Sequence, residues 1–151
     1  MNETPDLPAL YRQTVLDHSR HQRNFLRLDP ADRIAVGHNP LCGDKITLYL
    51  RLDNGQIENL TFEGTGCAIS MASASIMTES IKNHDLDDAQ KEIDKIMREF
   101  ITSRCEETVE GDMAALGGVR AFPSRIKCAT LAWKTLEAAL QEDTQTTTTE
   151  N

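Results

Sequence analysis

No stretch of this chain approaches the roughly 20 consecutive apolar residues that a membrane-spanning helix requires. Its first residues, MNETPDLPALYRQ, carry neither a basic start nor an apolar core, which argues against a secretory signal. Positive charge is also short: 16 Lys and Arg stand against 24 Asp and Glu, a formal net charge of -8, with a sequence pI near 4.9. A phosphate backbone would be repelled by such a surface, so nucleic acid is not an expected partner. The densest basic cluster, Arg20, His21, Arg23 and Arg27, reads as a solvated helix end. No internal repeat is apparent. A soluble, cytoplasmic protein without a membrane partner is expected, and its cysteines should be reduced thiols.

A further absence concerns those cysteines. Cys42, Cys67, Cys105 and Cys128 contain no CxxC pair, the spacing that would by itself make a zinc site a strong reading. What is present is a chain of 151 residues, 39% hydrophobic and 26% charged, which suits one globular domain over residues 1–140. The segment 141–151, QEDTQTTTTEN, has no apolar residue and is expected to be a disordered tail.

Periodicity outlines the elements. Asp6 to Ser19 has a loose helical rhythm, and Arg20 to Asp32 reads as a charged connector ending in Asp29-Pro30. A short strand around Ile34 and Val36 ends at Asn39-Pro40. Lys45 to Leu52 alternates, with Ile46, Leu48, Leu50 and Leu52 on one face. Asp53-Asn54-Gly55 then predicts a hairpin turn, because Asn-Gly accepts the positive φ that a type I′ turn demands. The returning strand, Ile57 to Glu63, buries Leu60 and Phe62, with Ile57 out of phase and a bulge or turn residue expected there. Cys67 to Lys82 is small or apolar almost all round, which predicts a buried helix. Asp85 to Phe100 predicts an outer amphipathic helix, and Ser124 to Leu140 is the clearest helix of all, with Ile126, Ala129, Trp133, Leu136 and Leu140 in phase. Thr102 to Gly118 is less regular. The order of elements predicts an α+β fold built on an antiparallel sheet.

Three of the four cysteines fall at element ends, where one edge of a sheet could gather them. Cys42-Gly43-Asp44 adds a carboxylate at spacing two, on the same side of extended backbone. Three thiolates and one carboxylate would complete a tetrahedral zinc site. Cys67, at the start of a helix, would have its thiolate favoured by unpaired N–H groups, with Gly64 and Gly66 allowing a sharp turn into that helix. Free cysteines are also common core filler, and spacing alone leaves both readings open. His18, His21, His38 and His84 read as surface or core residues; His38, four before Cys42, is the one placed near the candidate site.

Three stretches in order, NPLCGDKITLYL, FEGTGCAISMASASIM and FPSRIKCATLAWKTLEAAL, closely resemble the SufU branch of the IscU/NifU-like iron–sulfur cluster assembly family. The resemblance runs from about Leu10, where ALYRQTVLDHSRHQRNF is similar to the family's first helix, to about Leu140. It implies a small antiparallel sheet of about three strands with helices packed on one face. It further implies a zinc site on Cys42, Asp44, Cys67 and Cys128. The scaffold branch carries a Leu-Pro-Pro-Val-Lys motif and a histidine before its third cysteine; here Phe122-Pro123-Ser124-Arg125 and Lys127 stand instead. The SufU-like reading is therefore a zinc-dependent sulfurtransferase serving a pyridoxal-phosphate cysteine desulfurase of SufS type, with downstream SUF scaffold proteins as further partners. In that reading a histidine of the desulfurase replaces Cys42 on zinc, and Cys42 then takes the persulfide sulfur. Arg125 matches a SufU arginine, which implies a role in positioning Cys42 or meeting the partner; a surface charge at a helix start is the other reading of it. The alternative is a scaffold on which iron or a [2Fe–2S] cluster is held by the same ligands. Cys105 departs from the family pattern and is expected to be a bystander.

Overall fold

The computed structural model describes residues 7–40, 43–101, 123–141 and 147–148. Its elements run α1 (Leu7–Arg20), β1 (Arg33–Asn39), β2 (Asp44–Asp53), β3 (Gln56–Thr65), α2 (Ala68–Ile81), α3 (Leu86–Ile101), α4 (Pro123–Leu140) and β4 (Thr147–Thr148). The sheet order is β3-β2-β1-β4, antiparallel through β1, β2 and β3. This is the expected α+β architecture.

The hairpin forms where turn chemistry placed it, with Asn54 at φ 53° and Gly55 at φ 79°. Ile46, Leu48 and Leu50 are fully buried on one face of β2 and meet Leu60 and Phe62 of β3. A register shift at Arg51/Leu52 resolves the phase of Ile57: the irregularity turns that side chain into the core, where it is fully buried. The opposite face is not simply polar. Tyr49 and Thr61, paired across β2 and β3, are both buried, and the Tyr49 hydroxyl donates to Glu63 Oε1 at 2.6 Å. Burial together with that carboxylate pushes the Tyr49 hydroxyl pKa up.

The connector is more ordered in its bonding than its composition implied. Phe62 N–H donates to Asn24 O, Phe25 bridges to Phe62, and Asp32 N–H and Oδ2 bond Leu50 O and Leu52 N–H. The chain thereby passes the free edge of β3 and returns to β2 before entering β1. Within the basic cluster, Arg20, His21 and Arg27 are exposed while Arg23 pairs with Asp17 at 3.0 Å.

Helix α2 is enclosed: every residue from Ser70 to Thr78 is buried, against α1, α4 and β3. Small side chains make that possible by letting neighbouring backbones approach, and each buried hydroxyl finds a partner. Ser75 Oγ meets His18 Nδ1 at 2.8 Å and accepts from Arg23 N–H at 2.8 Å, so His18 is a buried tie between α1 and α2. Ser73 donates to Ala129 O and accepts from Trp133 Nε1–H, joining α2 to α4. Arg33, on β1, donates to Ala139 O and Leu140 O and satisfies the terminal carbonyls of α4.

Helix α3 buries Ala89, Ile93 and Ile96 and exposes its charged face, as its rhythm predicted. Gln141 follows α4, and Thr147–Thr148 pair in parallel with Gly37 and His38 of β1. That two-residue strand adds a fourth member to the sheet within the stretch read as a disordered tail. Backbone pairing on an open strand edge needs no apolar side chain, so composition did not signal it. The rest of the tail lies outside the described residues, as does the segment 102–122 with Cys105. No described helix is long and apolar enough to cross a membrane.

Candidate metal centre

Antiparallel pairing brings the end of β1, the start of β2 and the end of β3 to one edge, with Asn39 opposite Asp44 and Lys45 opposite Thr65. Cys67 follows β3 by two residues and is the N-cap of α2. Cys128 sits in the second turn of α4, held there by the α2–α4 packing. One potential donor atom each from Asp44, Cys67 and Cys128 therefore lies within 4.8 Å of the others. Asp44 and Cys128 are fully buried and Cys67 is half-buried.

Asp44 is held at both oxygens. Cys67 N–H donates to Oδ1 at 2.9 Å, and the Ser70 hydroxyl donates to Oδ2 at 2.5 Å. Oδ2 also lies 3.8 Å from Cys67 Sγ. The Cys67 sulfur accepts from Ser70 N–H at 3.4 Å in the position of a capping side chain. Its pKa is lowered to about 6, first because the Cys128 thiol donates to it. The Ser70 N–H and hydroxyl act in the same direction, while burial and the Asp44 carboxylate oppose the shift. A thiolate is thus favoured at Cys67 chiefly by the Cys128 thiol, with the Ser70 N–H at the helix start contributing less.

The glycines act differently from one another. Gly43 has φ +74°, a left-handed conformation that turns the chain into β2, and its N–H donates to Asn39 O at 2.8 Å. The chain passes from β3 to α2 between Thr65 and Ala68 with neither Gly64 nor Gly66 at positive φ. They provide space instead. A Cβ on Gly64 would collide with the Lys45 carbonyl, and one on Gly66 would lie 2.6 Å from Asp44 Oδ1. On the zinc site that the resemblance implies, Gly66→Ala should displace the Asp44 carboxylate and weaken metal binding by about tenfold or more, as loss of a ligand's orienting contacts does. Chelator competition checks this; unchanged affinity would show that the carboxylate does not need the space.

Of the residues singled out in the sequence, Asp44, Cys67 and Cys128 are brought together, while Cys42 and Cys105 lie outside the described residues. Arg125 is exposed, one turn before Cys128 on α4. His38 is half-buried on β1 opposite Lys45 and is not part of the donor cluster. Ser70 was missed: nothing in its local sequence separates it from Ser73 or Ser75.

Residues 10–148 match the model of the NifU-like N terminal domain. The chain belongs to that family. Within it, the chain is 43% identical over 146 residues to the zinc-dependent sulfurtransferase SufU of Bacillus subtilis, covering 95% of this chain and 97% of that protein. It is 37% identical over 136 residues to the iron–sulfur cluster assembly scaffold protein IscU of Thermotoga maritima, covering 88% and 94%. A crystal structure of a candidate iron–sulfur cluster assembly scaffold protein for the SUF system, from Fervidobacterium islandicum AW-1, superposes with a TM-score of 0.81 at 33% identity, covering 87% and 97%. The NifU-like resemblance and the α+β fold read from the sequence are both correct.

Proposed function

We propose that this NifU-like chain is a cytoplasmic zinc-dependent sulfurtransferase of iron–sulfur cluster assembly, accepting sulfur from a SufS-type cysteine desulfurase and passing it to SUF scaffold proteins. The observation that carries this reading is the convergence of Asp44, Cys67 and Cys128 in a chain so similar to a protein of that name. The donors fit zinc. Zinc–oxygen and zinc–sulfur bonds of about 2.0–2.3 Å place neighbouring tetrahedral donors about 3.5–3.8 Å apart. The 3.8 Å between Asp44 Oδ2 and Cys67 Sγ is of that size. Cys42 stands as the proposed fourth ligand, one residue before the left-handed Gly43.

Zinc, when bound, keeps coordinated thiols deprotonated and masks them from side reactions. Asp44, Cys67 and Cys128 are rooted in β2, α2 and α4 and serve as the fixed donors. Cys42 serves as the carrier. Its thiolate attacks the outer sulfur of the desulfurase persulfide; the donor S–S bond breaks, a new S–S bond forms on Cys42, and the electron pair leaves on the desulfurase thiolate. No oxidant or reductant is consumed. Arg125, exposed beside the start of α4, is proposed to meet the partner or to orient Cys42.

The test is sulfide release by a SufS-type cysteine desulfurase, with a thiol reductant, in the presence of zinc-loaded or metal-stripped protein. Zinc-loaded protein should stimulate release at least about tenfold more than stripped protein, one decade being about 1.4 kcal/mol of barrier. No stimulation, or stimulation indifferent to zinc, would favour the scaffold reading, which anaerobic iron and sulfide analysis would then address.

A further inference from the structure

We propose that Ser70 is a positioning residue that selects which oxygen of Asp44 faces the metal and fixes its direction, an inference that rests on the zinc-site reading above. Ser70 lies in the first turn of α2, is fully buried, and touches all three clustered donor residues. Its backbone N–H donates to Cys67 Sγ at 3.4 Å. Its hydroxyl lies 2.5 Å from Asp44 Oδ2, 3.2 Å from the Cys128 carbonyl and 3.7 Å from Cys67 Sγ.

A hydroxyl has one proton to give, and the shortest of these distances assigns it to Asp44. The carboxylate is then determined at both ends. Oδ1 is occupied by Cys67 N–H, and Oδ2 is the oxygen turned toward the Cys67 sulfur. A carboxylate oxygen has two lone-pair directions; with Ser70 on one of them, the other is left for a cation. A neutral hydroxyl suits this task better than Lys or Arg. It orients the carboxylate without cancelling the negative charge that attracts the ion. It also compensates a buried carboxylate oxygen that would otherwise lack a donor. The Cys128 carbonyl gives the same hydroxyl a second acceptor, so it is not orphaned when Asp44 shifts.

Ser73, one turn further along α2, is the internal control. Its hydroxyl donates to Ala129 O and accepts from Trp133, and it touches no donor of the cluster. The Ser70 and Ser73 hydroxyls thus lie against adjacent carbonyls of α4, at Cys128 and Ala129, yet only Ser70 reaches Asp44.

Zinc affinity would be measured by chelator competition on the wild type, Ser70→Ala, Asp44→Ala, the double variant and Ser73→Ala. Circular dichroism would check that each metal-free protein is folded; alanine removes one oxygen from a helix and preserves its backbone. Ser70→Ala should weaken zinc binding about 10–100-fold, the usual cost of removing a partner that orients a ligand. In the Asp44→Ala background the same change should cost less than about twofold, because positions acting through one another are non-additive. Cobalt(II) substituted for zinc should show an altered visible spectrum in Ser70→Ala and an unaltered one in Ser73→Ala. Equal losses in both backgrounds, or an unchanged spectrum and affinity in Ser70→Ala, would overturn the inference while leaving the zinc site standing. A wild type that binds no zinc would overturn the functional reading itself.

Discussion

Cys42→Ala should abolish the stimulation of cysteine desulfurase sulfide release, while Cys105→Ala should leave it intact. In the proposed reaction Cys42 provides the only sulfur atom that forms the new S–S bond, so no neighbouring group can substitute for it. Asp44, Cys67 and Cys128 remain in the variant, and Asp44 and Cys67 keep their hydrogen bonds with Cys67 N–H and with the Ser70 N–H and hydroxyl. Zinc binding should therefore weaken but persist, and the loss of stimulation should exceed the loss of bound metal. That comparison separates a sulfur carrier from a ligand that only stabilises the fold. If Cys42→Ala retained stimulation at full zinc occupancy, the carrier role would be wrong. If Cys105→Ala lost stimulation, Cys105 would be part of the sulfur path and the bystander expectation would fail.

Trp133→Ala should be the most destabilising of single core changes, by about 3–5 kcal/mol, the range for removing a buried indole. Trp133 is the largest fully buried side chain and the single tryptophan of the sequence. Its Nε1–H donates to Ser73 Oγ at 3.0 Å, and Ser73 in turn donates to Ala129 O, so the ring both fills the α2–α4 interface and completes a polar tie within it. Trp133→Phe keeps most of the volume and loses the N–H donor, and should cost less, about 1–2 kcal/mol. Urea unfolding of the metal-free proteins, followed by circular dichroism, measures both. A cost for Trp133→Ala below about 1 kcal/mol would be a surface value and would contradict its burial.

How far the molecule could be read in advance depended on the range of the interactions concerned. Lys45 to Leu52 and Asn54-Gly55 were legible because side-chain alternation and positive φ are properties of a few consecutive residues. The helices were legible for the same reason, their ends falling within a residue or so of the observed bounds. The phase of Ile57 was not: the bulge that buries it arises from the register of two strands, and either strand alone is compatible with other pairings. The burial of Tyr49 and Thr61 depends on contacts across the sheet, and the Thr147–Thr148 strand on an edge of β1 more than 100 residues earlier in the chain.

The candidate site divides in the same way. Cysteine count, the Cys-Gly-Asp spacing and the position of Cys67 before a helix are local facts, and they are enough to nominate the donors. Whether those donors meet was beyond spacing, because convergence requires strand pairing at one sheet edge and the packing of α4 on α2. The roles of Ser70, Gly64 and Gly66 were hidden more deeply still. A serine on a buried helix and a glycine beside a strand end look alike wherever they occur; only the approach of Asp44 distinguishes Ser70 from Ser73, and only the Lys45 carbonyl and the Asp44 carboxylate forbid a Cβ at the two glycines. Sequence by itself determined the helices and the first three strands and nominated the chemical identity of the candidate donors, since both follow from covalent structure and short-range conformational preference. Tertiary structure alone decided which atoms share a site and which neighbours aim them, since those are set by distances between segments that the order of residues does not contain.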